Sequence, residues 1–316
     1  MYRSINHRHL MKQLATPKGG LMKRTNSAWA KLVRSAGLGA LLVLFLASVP
    51  SASAKQTASL LQATTAGNIT YVTKNFTLAK GKWATLKVPC PSGTHVLGGG
   101  HYNSGGFGDV IVPHSYPYDS GDADSKPDDG WAADLGSMYG TVTVTMHAEC
   151  GPILPFYRVA TTTVPARFPP SLEGGLCPAS DPNVLSGGSR GPRNVQEFWT
   201  YPAANRWLVF VDNLGNLPRT ATIIAVCSTL DTANATSSAG NVSTRSQASV
   251  NAQCPSGAPY VVGGGVATNT APFGMRNIAA SRPYGVTEWQ VWVDNFSGNS
   301  QTFQAGAVCI PTIPTG

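Results

Sequence analysis

Six cysteines divide this chain into three copies of one pattern, and that repetition constrains the fold more than any other feature. Aligned on cysteine, the first copy reads CPSGTHVLGGG, HSYPYD, GWAADLGS and TVTVTMHAEC. The second reads CPASDPNVLSGG, FWTYPAAN, RWLVFVDN and ATIIAVC, and the third CPSGAPYVVGGG, ASRPYG, EWQVWVDN and QAGAVC. The order is constant: Cys-Pro, a glycine cluster, a proline turn, a tryptophan segment, then a segment ending in cysteine. Trp131 and Cys150, Trp207 and Cys227, and Trp289 and Cys309 lie 19, 20 and 20 positions apart. A further β segment precedes each Cys-Pro, in YVTKNFTLAKGKWATLKV, YRVATTTVPARFP and SAGNVSTRSQASV. The repeats therefore span 68–150, 157–228 and 237–310, with SSAGNVST reading as a polar linker before the third.

Alternation makes these segments strands. In EWQVWVDN, Trp289, Val291 and Val293 share one face, while Gln290, Trp292 and Asp294 share the other. In TVTVTMHAEC, Val142, Val144, Met146, Ala148 and Cys150 point one way, against a more polar face with His147 and Glu149. Beyond the N-terminal region no segment carries a helical period, so the expected fold is all-β. Three units of four or five strands predict a β-prism-like, pseudo-threefold arrangement; three small β-sandwiches in tandem are the competing one. The cysteine spacings of 60, 50 and 55 contain no Cys-x-x-Cys pair and argue against zinc or redox chemistry. Six cysteines allow 15 pairings, and a pair repeated in every copy favours Cys90–Cys150, Cys177–Cys227 and Cys254–Cys309.

The N-terminal region reads as a secretory signal peptide over residues 1–54, followed by a tail at 55–67. Residues 1–35 carry eight Lys/Arg and no acid; the apolar run GLGALLVLFLASV follows, then an Ala-x-Ala site at Ala52 and Ala54. That run is shorter than the roughly 20 residues of a membrane span, so no span is expected once the leader is removed. Of the 23 basic residues eight lie in the leader, leaving 15 against 15 acids. The basic pI belongs to the leader, and the exported part gives no reason to expect nucleic acid.

The glycine cluster raises the question of phosphate binding. A P-loop needs Lys-Ser/Thr after its last glycine, whereas His101-Tyr102 follows Gly100 and Val266-Ala267 follows Gly265. Glycines repeated in every copy instead predict close backbone approach or a bulge, and no cofactor is expected. A polar set in the first repeat, His101, His114, His147, Glu149 and Asp134, offers the groups of an acid–base site and supports an alternative reading as a secreted hydrolase. The acidic loop holds a calcium candidate in Asp119, Asp122, Asp124 and Asp128, but fails the EF-hand spacing.

Aromatic residues recur at the proline turns: Tyr116 and Tyr118, Trp199 and Tyr201, and Tyr284, with Trp292 on the polar side of its strand. If exposed, they give each repeat a platform for the apolar face of a sugar ring. If not, they pack each turn against a neighbouring repeat. The Cys-Pro…Gly-Gly-Gly…Trp…Val-Cys signature covers most of residues 70–310 and resembles that of a group of secreted bacterial proteins. The resemblance implies export and attaches no activity, and the middle copy departs most, lacking one glycine. The expectation is a secreted, non-enzymatic binding or surface protein recognising extracellular polysaccharide or cell-surface glycan. A purely structural envelope or matrix protein is the third reading.

Overall fold

A computed structural model of the chain describes residues 61–121, 126–166, 171–268 and 276–313. The expected leader, the first part of the expected tail, and Asp122 and Asp124 of the acidic loop lie outside the described residues. Every regular element among the described residues is a strand, so the protein is all-β. No helix among the described residues is long and apolar enough to cross a membrane.

The first repeat supplies β2 (Ile69–Leu78), β3 (Trp83–Pro89), β4 (His95–Asn103), β5 (Val110–Tyr118), β6 (Gly130–Ser137) and β7 (Val142–Gly151). An edge strand, β1 (Gln62–Ala66), precedes them. The second supplies β8 (Phe156–Val164), β9 (Ser171–Leu176), β10 (Asn183–Arg190), β11 (Val195–Ala203), β12 (Arg206–Asn213) and β13 (Arg219–Ser228). In the third, β14 (Ala233–Thr236) and β15 (Gly240–Val242) precede β16 (Ser246–Gln253), β17 (Tyr260–Thr268), β18 (Arg276–Tyr284), β19 (Glu288–Asn295) and β20 (Gln301–Ile310).

Three expectations change. The first two repeats carry six strands each and the third seven, not four or five, because the segment before Cys-Pro folds back on itself; Gly81, at φ +70°, makes that turn in the first repeat. The supposed linker SSAGNVST contains β15, which pairs with β20 and drives Val242 into the core at 1% exposure. The end of the expected tail is β1, paired along its length with β2.

The strands form three antiparallel sheets. The first runs β1-β2-β7-β4-β18-β19-β16, the second β3-β6-β5-β10-β13-β8, and the third β14-β20-β17-β11-β12-β9, with β15 also paired to β20. Each sheet joins strands of one repeat to strands of another: first with third, first with second, second with third. The repeats are therefore not separate tandem sandwiches. Each is split between two sheets, and the three sharings close a ring.

The disulfides clip this arrangement together. Cys90 follows β3 of the second sheet and bonds Cys150 on β7 of the first; Cys177 and Cys227 join the third sheet to the second; Cys254 and Cys309 join the first to the third. Cα–Cα separations of 5.7 Å in all three suit an unstrained bridge. The closing cysteines Cys150, Cys227 and Cys309 are fully buried, as the alternation of their strands requires.

Three seams complete the ring, and here the glycines matter. β4 meets β18 at His101 and Ser281, β10 meets β5 at Ser189 and Ser115, and β17 meets β11 at Val266 and Thr200. The third glycine of each cluster lies beside its seam. A Cβ there would stand 1.9 Å from the Ser281 carbonyl oxygen at Gly100, 1.7 Å from that of Ser115 at Gly188, and 2.1 Å from that of Thr200 at Gly265. At the middle glycines, Gly99, Gly187 and Gly264, the space is taken by the rings of Trp131, Trp207 and Trp289. The first glycines, Gly98 and Gly263, press on the Val262 and Leu185 carbonyls of the neighbouring repeats. Ser186 replaces the missing glycine and donates its hydroxyl to the Leu97 carbonyl at 2.6 Å. The cluster is a close-packing device with three separate contacts, repeated three times.

Candidate functional site

The polar set of the first repeat does not assemble into one accessible site. His101 and His114, 1% and 0% exposed, both line a small cavity of about 20 Å³ among the three seams. That volume holds about one water and excludes a sugar ring. The His101 Nε2 lies 3.2 Å from the Ile278 carbonyl, and the His114 Nδ1 lies 3.2 Å from the Ser189 hydroxyl. Burial lowers the pKa of both, that of His101 to about 4, so they are neutral imidazoles. Asp134 pairs across the strands with His114, but its carboxylate accepts from Thr85 Oγ1 at 2.5 Å. His147 and Glu149 lie on β7, 7% and 0% exposed, where alternation predicts an open polar face. None of the five is hydrogen-bonded to another among the described residues.

The sequence reading passes over Glu197, a buried acid that lines this cavity. It accepts from the Ser189 hydroxyl at 2.7 Å, and burial pushes its carboxyl up to about 8. The signal is in the repeats: Val112 and Ile278 line the same cavity from the corresponding strands of the other copies, so an acid stands where apolar side chains are the rule.

The acidic loop is likewise engaged. Asp128 lies 2.7 Å from the His95 Nδ1, and Asp119 accepts from the Gly121 amide at 2.6 Å. No group of three His, Cys, Asp or Glu among the described residues is placed to hold a metal ion.

The aromatic turns occupy equivalent strands but three different sheets, so they share no common platform. In the first repeat Tyr116 and Tyr118 are buried with Ala132 and Ile224, because the seam brings β13 of the second repeat alongside. In the second, Trp199 stacks on Phe210 at 4.0 Å and 19°, and the Tyr201 ring covers Gly306 of the third repeat. Tyr116, Tyr118 and Tyr201 thus pack against another repeat, and Trp199 packs within its own. The third repeat differs: Tyr284 is 50% exposed, and Arg282 stands where the other copies have Tyr116 and Tyr201.

Around Arg282 the first sheet carries a continuous polar and aromatic surface. Its register sets Thr73 opposite His147, His147 opposite Gly100, Arg282 opposite Gln290, and Gln290 opposite Asn251. Gly100 and Arg282 meet one residue along from the His101–Ser281 seam pair. The guanidinium lies 4.0 Å from the Tyr102 ring centroid and 5.6 Å from that of Tyr284. Its Nε and Nη2 donate to Gln290 Oε1 at 3.3 and 3.0 Å. Gln290 in turn donates to Asn251, and Asn251 to Glu288. Tyr102 meets Trp292 edge-on at 6.0 Å.

Beside this surface a cleft of about 300 Å³ opens between the β18–β19 turn, at Pro283, Gly285 and Val286, and the strands carrying Gln62, Thr64, Tyr71, Thr73 and His147. Tyr71 ties its rim, donating to the carbonyls of Val261 and Val286 at 2.9 and 3.3 Å. His147 forms part of the wall, and its buried Nε2 has no hydrogen-bond partner. Burial first, then the Arg282 charge and His101, lower its pKa to about 3. Arg282 is missed by a reading that weighs only rings; aligning ASRPYG with HSYPYD and WTYPAA exposes it.

No protein-family model matches the chain, and no curated protein matches it.

Proposed function

We propose that this is an exported, non-enzymatic binding protein that recognises saccharide through the face of the first sheet around Tyr284 and Arg282. The observation that supports this most is the third repeat's departure from its siblings. Where the first copy buries its aromatic turn and the second holds Trp199 and Tyr201 half-buried in packing contacts, this one presents a half-exposed tyrosine ring and a positioned guanidinium beside an open cleft. A ring stacks on the apolar face of a pyranose, and fixed amide and guanidinium groups suit its polar substituents. The three disulfides fit an oxidising compartment, which supports export. The buried histidines and acids of the first repeat offer a substrate no approach, which favours binding over hydrolysis.

A panel of immobilised polysaccharides and oligosaccharides, probed with the oxidised protein, tests this reading. Binding that falls at least tenfold in Tyr284→Ala, and is unchanged in Tyr139→Ala on another exposed ring, supports it. Binding that is indifferent to Tyr284 moves the site elsewhere, and no binding to any member of the panel refutes the reading.

A further inference from the structure

We propose that the site selects acidic saccharides, taking a uronic-acid carboxylate on Arg282 while the sugar ring stacks on Tyr284. This rests on the saccharide reading above and names the ligand class within it.

Two groups on this face carry the selection. Arg282 is half-buried, yet no carboxylate among the described residues lies within ion-pair distance of it. Its contacts are two aromatic rings and the neutral Gln290 oxygen, shared by Nε and Nη2. These hold the fork in place without neutralising it. A positioned, uncompensated guanidinium is matched by a planar carboxylate, which can accept two parallel N–H donors.

The second group is Tyr284, 50% exposed and flanked by the cleft residues Pro283 and Gly285, which supplies the stacking ring. Its ring centroid lies 5.6 Å from the Arg282 guanidinium, so one sugar residue that carries a carboxylate can meet both.

The test uses oligomers of galacturonate, glucuronate and mannuronate, each beside its neutral methyl ester, titrated calorimetrically into the oxidised protein. At least one acid is expected to bind ten or more times tighter than its ester, and its affinity is expected to fall with added salt. Arg282→Gln should abolish that difference, Arg282→Lys should restore part of it, and Tyr284→Ala should weaken acid and ester alike. Circular dichroism identifies any variant that fails to fold, and the salt dependence of the unaltered protein decides the matter in that case. Equal, salt-independent affinity for acids and esters overturns the acidic selectivity and leaves the saccharide reading standing. An acid preference that survives in folded Arg282→Gln overturns the assignment to Arg282. No binding by any acid, ester or neutral glycan overturns both.

Discussion

The indole Nε1 of Trp207 donates to the Thr200 hydroxyl at 2.7 Å, and Thr200 is also the residue through which β11 meets β17. The same double role recurs in Ser115, which accepts from Trp131 at 2.8 Å, and in Ser281, which accepts from Trp289 at 3.0 Å. Each repeat thus ties its buried tryptophan to the strand that another repeat pairs with, so core and seam are one structure. Thr200→Val keeps the shape and removes the acceptor, leaving a fully buried indole N–H unpaired. The expected loss is about 1–3 kcal/mol, read from urea or guanidinium unfolding. A change below a few tenths would show that the bond does not contribute.

The glycine clusters predict a sharp contrast. Gly188→Ala puts a methyl group 1.7 Å from the Ser115 carbonyl, and Gly99→Ala puts one 2.2 Å from the Trp131 ring. Backbone cannot yield there without opening a seam, so each change should cost at least about 3 kcal/mol, beyond ordinary overpacking. Gly140 and Gly257 have nothing within 4 Å of a Cβ and no left-handed φ, so alanine at either should be nearly neutral. Thermal melts of the four variants check this, and equal losses in both pairs would contradict the close-approach account.

How much of this was legible follows from how local each signal is. Strands and half-cystines announce themselves by alternation within a few residues, and β12, β13, β19 and β20 are where EWQVWVDN and its siblings put them. The seams are not local: Ser115, Thr200 and Ser281 look like ordinary polar positions until the partner repeat is in place. The same is true of His147 and Glu149. They alternate correctly to the outer side of β7, but Tyr71 and the Pro283–Val286 turn cover that side, so both are buried. Tyr116, Tyr118 and Tyr201 were legible as aromatic and illegible as packing, since each meets residues of another repeat. Arg282 and Glu197 were visible as departures from threefold regularity, a signal that needs the copies compared position by position.

The disulfides should be separable from the fold they clip. Peptide mapping without reduction should recover Cys90 with Cys150, Cys177 with Cys227, and Cys254 with Cys309, and no other pair. Each closes a loop of 50–60 residues, worth roughly 4 kcal/mol in the chain-entropy model. Removing one pair as a double Cys→Ala variant should lower the unfolding free energy by about 2–4 kcal/mol. Because each bridge joins a different pair of sheets, the three variants should lose similar amounts. One loss dwarfing the others would mean that the sheets are not equivalently held.

Stability should peak at intermediate pH, because the buried ionisable groups pull in opposite directions. Glu197 is raised to about 8 from an ordinary 4.5, so the folded state holds its proton more tightly than the unfolded chain. Its stabilisation is complete below pH 4.5 and is lost as the pH rises towards 8; Glu149, raised by complete burial, acts in the same sense. His101 and His147 are lowered from 6.5 to about 4 and 3, so their contribution is complete above pH 6.5 and is lost as the pH falls through those values. Glu197→Gln should therefore gain relative stability between pH 5 and 8 while leaving the acid limb untouched. The measurement is the unfolding free energy of both proteins across pH 3.5–8.5. A difference between them that stays constant from pH 4.5 to 8 would show that Glu197 titrates normally, and that the space between the three seams is wetter than its volume of about 20 Å³ implies.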